Sequence, residues 1–140
     1  MTLRNSSKRA AAVAACALTA VTGTVITAPP AAAATYAGEC GPGYRVVNSA
    51  PIGRLGTVFL TYSSASGNNC VIAKRHRAGS RVLIEAGLGV HPVGQHWPAY
   101  QGRHYTSYAG PIRLSAAGRC VDWMGRISGV EGGKRRTNCG

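Results

Sequence analysis

Short strand-like segments separated by turn-forming residues follow one another along the chain after residue 40. Around Arg113, the flanking Ile112 and Leu114 give the apolar–polar alternation of a half-buried strand. The strongest segment is 57–62, which is rich in β-branched and aromatic residues. No window shows a helical period, and the 19 glycines argue against long helices. Further strands are predicted at residues 44–47, 70–73, 81–85, 105–108 and 120–123. The pattern predicts an all-β fold, a small single-domain sandwich or barrel.

Two segments predict β-hairpins whose second strand opens with a cysteine. In the first, segment 57–62 leads through the turn-forming residues 63–69 to Cys70. In the second, the strand around Arg113 leads through a similar turn to Cys120. The similarity is consistent with an internal duplication, and also with convergence, because hairpins reuse the same turn residues.

Residues 1–34 are typical of a cleavable export signal. A positively charged start and an uncharged run of small apolar residues, 10–28, are followed by two prolines and a small-residue cleavage site before Thr35. A membrane anchor fits less well because the run is weakly hydrophobic. Lipidation at Cys16 fits less well because only six apolar residues precede it. We therefore expect a secreted single domain, residues 35–140, with no stable membrane insertion after processing.

Four cysteines remain in the predicted mature chain: Cys40, Cys70, Cys120 and Cys139. An even number in an exported chain predicts two disulfides. Of the three pairings that are open, we expect Cys40 with Cys70 and Cys120 with Cys139, because each bond then closes one half of the chain locally. Each would contribute roughly 3–4 kcal/mol in the chain-entropy model, which matters because a chain of this size has a modest core.

The predicted mature chain is strongly basic. The full sequence has 16 Lys and Arg against 4 Asp and Glu, and three of the basic residues precede residue 35, so 13 minus 4 leaves a net charge of about +9. This balance fits plain solubility outside the cell. It equally fits attraction to anionic polymers such as cell-wall phosphates or nucleic acid.

Two acid-free stretches supply candidate binding residues. Residues 74–77 form either a solvated strand end or an anion-binding patch. Residues 91–105 contain prolines and glycines that predict a loop, and binding residues often lie on loops. Its aromatic side chains either cover a thin core or stack on sugars or bases, while its arginine meets phosphate. The candidates are Lys74, Arg75, Arg77, Trp97, Tyr100, Arg103 and Tyr105.

Enzyme and metal patterns are not supported by the spacing. There is no G-x-S-x-G nucleophile motif, and only four acids are available for paired-carboxylate chemistry. The histidines lack zinc-finger spacing beside a cysteine pair. The alternative function is a secreted basic hydrolase of the ribonuclease type, with Glu85 as base and a histidine as acid. We expect no catalytic residue, no cofactor and no metal.

The cysteine framework and its neighbours give the chain a family resemblance. It resembles spore-associated protein A, a family of small exported proteins of filamentous actinobacteria, at residues 40–51, 56–62, 69–71, 108–111, 118–123 and 138–140. The resemblance implies a non-enzymatic protein of the spore or cell surface, with no catalytic residues to carry over. Its expected partner is a cell-wall or spore-surface polymer, and nucleic acid is a further candidate that no motif supports.

Two details stand beside this resemblance. Residues 74–77 and 91–104 are expected to be more basic than in the family, so a function peculiar to this protein would lie there. Residues 118–122 and 138–139 also resemble the start and end of a ricin-type lectin repeat. That fold needs three such repeats, and one is visible.

Overall fold

Two four-stranded antiparallel sheets form the protein in a computed structural model that describes residues 23–28 and 32–140. The first sheet has the order β1-β2-β3-β6 and the second has the order β5-β4-β7-β8. The strands are β1 (Arg45–Ile52), β2 (Gly56–Ser63), β3 (Asn68–Arg75), β4 (Val82–Val90), β5 (Ala99–Tyr105), β6 (Tyr108–Ser115), β7 (Val121–Ile127) and β8 (Val130–Thr137). The all-β prediction is confirmed, and of its two forms the fold is the sandwich. Within the described residues, no helix has the length and apolar character needed to cross a membrane.

The main core lies between the inner faces of the two sheets. Trp123 is its largest fully buried side chain, and the indole Nε1 donates a hydrogen bond of 2.8 Å to the Thr137 hydroxyl. Gly125 lets the sheets approach closely, since a Cβ there would stand 2.8 Å from the Cβ atoms of Val58 and Ala73. The other buried contributors are Ala50, Ile52, Leu60, Val71, Ile84, Ala86, Leu88, Ala109, Ile112, Ala116, Val121 and Ile127.

A second, smaller core covers the outer face of the first sheet. The segment 35–44 lies across this face, where Tyr36 contacts Phe59 with ring centroids 6.1 Å apart. The Cys40–Cys70 disulfide joins the segment to β3. The Arg113 guanidinium also donates a 2.8 Å hydrogen bond to the Cys40 carbonyl. Burial on both faces explains why β2 and β3 contain almost continuous runs of buried residues.

Both predicted disulfides are present. Cys40 pairs with Cys70 over a separation of 30 residues, and Cys120 pairs with Cys139 over 19 residues. The second bond ties the C-terminal tail to the start of β7.

The two predicted hairpins have different outcomes. Strands β2 and β3 pair as expected, but β6 pairs with β3 and β7 pairs with β4 and β8, so the second hairpin prediction is wrong. Residues 116–120 carry the chain from one sheet to the other, and the Ala116 amide bonds to the Gly67 carbonyl in the β2–β3 turn. Alternation fixes which face of a strand is buried, but it does not select the partner strand. The duplication interpretation loses its structural basis, because only one copy is a hairpin.

Two further boundaries were predicted wrongly. Residues 105–108 are not a strand, because Thr106 and Ser107 form the turn between β5 and β6. The predicted loop at 91–105 ends at Pro98, and β5 follows it.

The eighth strand was not predicted because it contains Gly132, Gly133 and three consecutive basic residues. It lies at a sheet edge, where polar side chains face solvent.

Candidate functional site

Residues 91–98, which we call the covering loop, lie over the outer face of the second sheet. The loop contacts this face at glycine residues of β4, Gly87 and Gly89. The Trp97 ring lies on Gly87, where a Cβ would stand 2.7 Å from Trp97 Cδ2. The Arg135 guanidinium lies 4.8 Å from the centroid of the same ring. Val93 and Pro98 cover Gly89 in the same way. For Trp97, these contacts favour the interpretation in which the aromatic side chains cover a thin core.

Asp122 holds the covering loop in place. Its carboxylate is 2% exposed and accepts hydrogen bonds from the Val93 amide at 2.9 Å and the Arg136 amide at 2.8 Å. His91 Nδ1 lies 2.9 Å from Asp122 Oδ1, and Arg135 lies 3.5 Å from Oδ2. Burial by itself would raise the pKa of Asp122, but the two backbone hydrogen bonds and His91 outweigh it, and the pKa is lowered.

Glu85 belongs to a separate polar cluster on the same face. The Tyr100 hydroxyl donates a hydrogen bond of 2.7 Å to the Glu85 carboxylate. The Arg126 guanidinium forms ion pairs with Glu85 at 3.1 Å and with Glu131 at 2.5 Å. The hydrogen bond to Glu85 is the main cause that raises the pKa of Tyr100. Among the described residues no histidine hydrogen bonds to Glu85. In the structure the Glu85 carboxylate is engaged by Tyr100 and Arg126.

Four turns meet at one end of the sandwich, which we call the basic end. The His76 amide donates to the Leu55 carbonyl at 2.9 Å, and the Arg75 amide donates to the Ser107 carbonyl at 2.9 Å. The Ser128 amide bonds to Leu83 at 2.9 Å. These bonds bring the β1–β2, β3–β4, β5–β6 and β7–β8 connections together.

Two clefts open at the basic end. The arginine cleft has a volume of about 360 Å³, and the tyrosine cleft has a volume of about 310 Å³. The arginine cleft is lined by Arg54, Leu55, Arg75, His76, Arg77, Val82, Ile127 and Ser128. The tyrosine cleft is lined by Arg81, Gln101, Tyr105, Thr106, Ser107, Tyr108 and Gly110. No acid lines either cleft in the described part of the chain.

The predicted binding residues do not form one surface. Trp97 and Tyr100 lie on the outer face of the second sheet, while Arg103 is exposed on β5. Lys74 is held by Glu39 at 2.5 Å and by the Thr35 carbonyl at 2.8 Å, so it anchors the segment over the first sheet. The remaining candidates, Arg75, Arg77 and Tyr105, line the two clefts.

Sequence reasoning missed the other cleft residues. Arg54 follows Gly53 in a short turn, and Arg81 precedes β4, so each looks like an isolated surface arginine. These residues come together only because four turns meet at the basic end. That meeting depends on pairing between strands that are distant in sequence. No group of three His, Cys, Asp or Glu side chains in the described residues lies close enough to hold a metal ion.

The fold and its clefts define a class: a small all-β sandwich, held by two disulfides, with its polar clefts among the turns at one end. The chain is 44% identical over 124 residues to spore-associated protein A of Streptomyces coelicolor (strain ATCC BAA-471 / A3(2) / M145), across 84% of this chain and 79% of that protein. The chain therefore belongs to the spore-associated protein A family, which confirms the resemblance. No family model and no solved structure matches the chain.

Replacing Gly87 by alanine is expected to displace Trp97, because the new methyl group would occupy the space of the indole. Overpacking of this kind costs about 1–3 kcal/mol of folding free energy. Trp97 is one of two tryptophans and the other is fully buried, so a red shift of the fluorescence would report its release. Gly94→Ala is the matched control in the same loop, since a Cβ there meets nothing within 4 Å. Identical spectra and stabilities for the two variants would contradict the packing role of Gly87.

Proposed function

We propose that the protein is an exported, non-enzymatic component of the spore or cell surface that binds an anionic or carbohydrate wall component. The relative's name, spore-associated protein A, supports the location. The binding role is inferred from this chain's own charges and clefts.

The distribution of ion pairs is the observation that carries the proposal. All four acids are engaged within the described residues: Glu39 with Lys74, Glu85 and Glu131 with Arg126, and Asp122 with His91 and Arg135. The other basic side chains therefore have no acidic partner in the described part of the chain. Exposed examples are Arg45, Arg54, Arg77, Arg81, Arg103 and Arg119. Such a surface attracts anionic polymers and repels other cations.

A wall-retention assay tests the proposal. Purified protein should co-sediment with intact cell-wall sacculi and be released as salt increases, because each neutralised phosphate lowers log affinity by roughly 0.7–0.9 per log unit of salt on nucleic-acid polyanions. Sacculi stripped of phosphate polymer by acid extraction are the control and should retain much less protein. Retention that is indifferent to both salt and stripping would overturn the proposal.

The hydrolase alternative has its own test. Incubation with RNA should give no turnover by wild-type protein, because Glu85 is engaged by Tyr100 and Arg126. RNA cleavage that disappears in Glu85→Gln would favour the enzyme.

A further inference from the structure

Three arginine side chains line the arginine cleft: Arg54, Arg75 and Arg77. Arg75 is fixed through Nη1, which donates to the Ser80 carbonyl at 2.8 Å and to the Thr106 carbonyl at 2.9 Å. A guanidinium has five N–H donors, so this anchoring orients the group and leaves donors for a ligand. Arg54 and Arg77 are exposed and line the same cleft. Arginine forks match the paired oxygens of phosphate.

Part of the lining of the arginine cleft is apolar. Leu55 is 40% exposed, and Val82 and Ile127 lie beside it in the lining. Arg75 is only partly exposed in this lining, so its attraction to an anion is screened less than that of an arginine on an open surface.

The tyrosine cleft offers different chemistry. It brings together two tyrosines, the hydroxyl side chains Thr106 and Ser107, and a single arginine, Arg81. Hydroxyl and amide groups exchange hydrogen bonds with the hydroxyls of sugars and polyols, and aromatic rings pack on their carbon faces. This cleft therefore suits a neutral polyol or sugar unit.

The two clefts adjoin across one connection. Segment 75–82 contributes Arg75 and Val82 to the arginine cleft and Arg81 to the tyrosine cleft. The Arg75 guanidinium itself bonds to Thr106, which lines the tyrosine cleft. A chain of alternating phosphate and polyol units would place one kind of unit in each cleft.

We infer that the basic end binds a wall polymer of polyol or sugar units joined by phosphodiesters, with phosphate in the arginine cleft and a polyol in the tyrosine cleft. The inference rests on the proposed function and names the ligand and the site. Nucleic acid shares the phosphodiester but needs open aromatic platforms for its bases. Trp97 and Tyr100 lie on the outer face of the second sheet and line neither cleft, so neither offers such a platform there.

Charge-matched variants test the site with synthetic poly(glycerol phosphate) as the probe. Arg54→Gln/Arg77→Gln removes two exposed arginines from the arginine cleft. Arg45→Gln/Arg119→Gln removes two exposed arginines at the opposite end, where β1 begins and the β6–β7 connection lies. Arg81→Gln alters the tyrosine cleft alone. Dissociation constants are measured at about 50 and 200 mM salt, and thermal melts establish that every variant is folded.

The cleft double variant should bind the probe roughly tenfold more weakly or worse, with a salt slope reduced by about 1.4–1.8, while the opposite-end variant keeps near wild-type affinity. Equal losses in both double variants would overturn the site and leave wall retention by general charge intact. Full affinity in Arg81→Gln would overturn the role of the tyrosine cleft. Equal binding of polyglutamate would overturn phosphodiester selectivity, and tighter binding of single-stranded RNA would overturn the wall-polymer assignment.

Discussion

Replacing Asp122 by asparagine is expected to lower the free energy of unfolding by about 2–4 kcal/mol and to release the covering loop. The carboxylate accepts hydrogen bonds from two backbone amides and contacts His91 and Arg135. An asparagine of the same shape has one acceptor oxygen, and its amide group would face a donor. Denaturant unfolding measures the loss, and Trp97 fluorescence reports the loop.

The loss of stability caused by Asp122→Asn should become smaller as the pH falls. The pKa of Asp122 is lower in the folded protein than in the unfolded chain, where aspartate titrates at about 3.9. The stabilisation is therefore fully present above that value and is lost as pH falls through the lower folded pKa. The stability difference between wild type and Asp122→Asn should shrink below about pH 4.

Glu131→Gln is the matched control for Asp122, since it removes one carboxylate charge from the same sheet face. Its side chain is 47% exposed and pairs with Arg126 at the surface. Exposed pairs contribute about 0–1 kcal/mol. A loss in Glu131→Gln as large as that in Asp122→Asn would contradict the holding role of Asp122.

Removing the Cys40–Cys70 disulfide by a double change to alanine is expected to destabilise the protein by about 3–4 kcal/mol. The bond closes a separation of 30 residues and fixes segment 35–44 over Phe59 and Ile72. For a domain of this size the melting temperature should fall by roughly 12–30 °C. Limited proteolysis should then cut within segment 35–44, and the same segment should resist cleavage in the wild type.

The Cys120–Cys139 double change to alanine is the comparison. Its separation is 19 residues, so the expected entropic loss is similar, about 3 kcal/mol. This bond holds only the C-terminal tail, so segment 35–44 should stay protected. The same cleavage pattern in both variants would show that the Cys40–Cys70 bond does not hold the segment in place.

The local sequence predicted the strands whose side chains are buried on both faces of the sheet or alternate regularly between buried and exposed. Segment 57–62 became β2 because its β-branched and aromatic side chains are buried between the core and segment 35–44. Strand β8 could not be found this way. Its glycines serve long-range contacts: a Cβ at Gly132 would overlap the Pro51 carbonyl of β1. Such a role becomes visible only once the two sheets are packed.

The candidate site was predicted in part. Arg75 and Arg77 were singled out by their clustering in sequence, and both line the arginine cleft. Lys74 was grouped with them, but strand alternation turns it to the opposite face, where it meets Glu39. Arg54 joins the cleft through the β1–β2 turn, and no local pattern marks that approach.

Strand β6, which comes late in the chain, completes the first sheet beside β3. A protein chain is synthesised from its N-terminal end, so β1, β2 and β3 emerge before β6. During that interval the outer edge of β3 is unpaired, and an open strand edge is a template for aggregation. The first sheet therefore cannot be completed until the chain has been made as far as Ser115. A product that stops before Tyr108 would keep the open edge and would be a substrate for quality-control proteases rather than a smaller working protein.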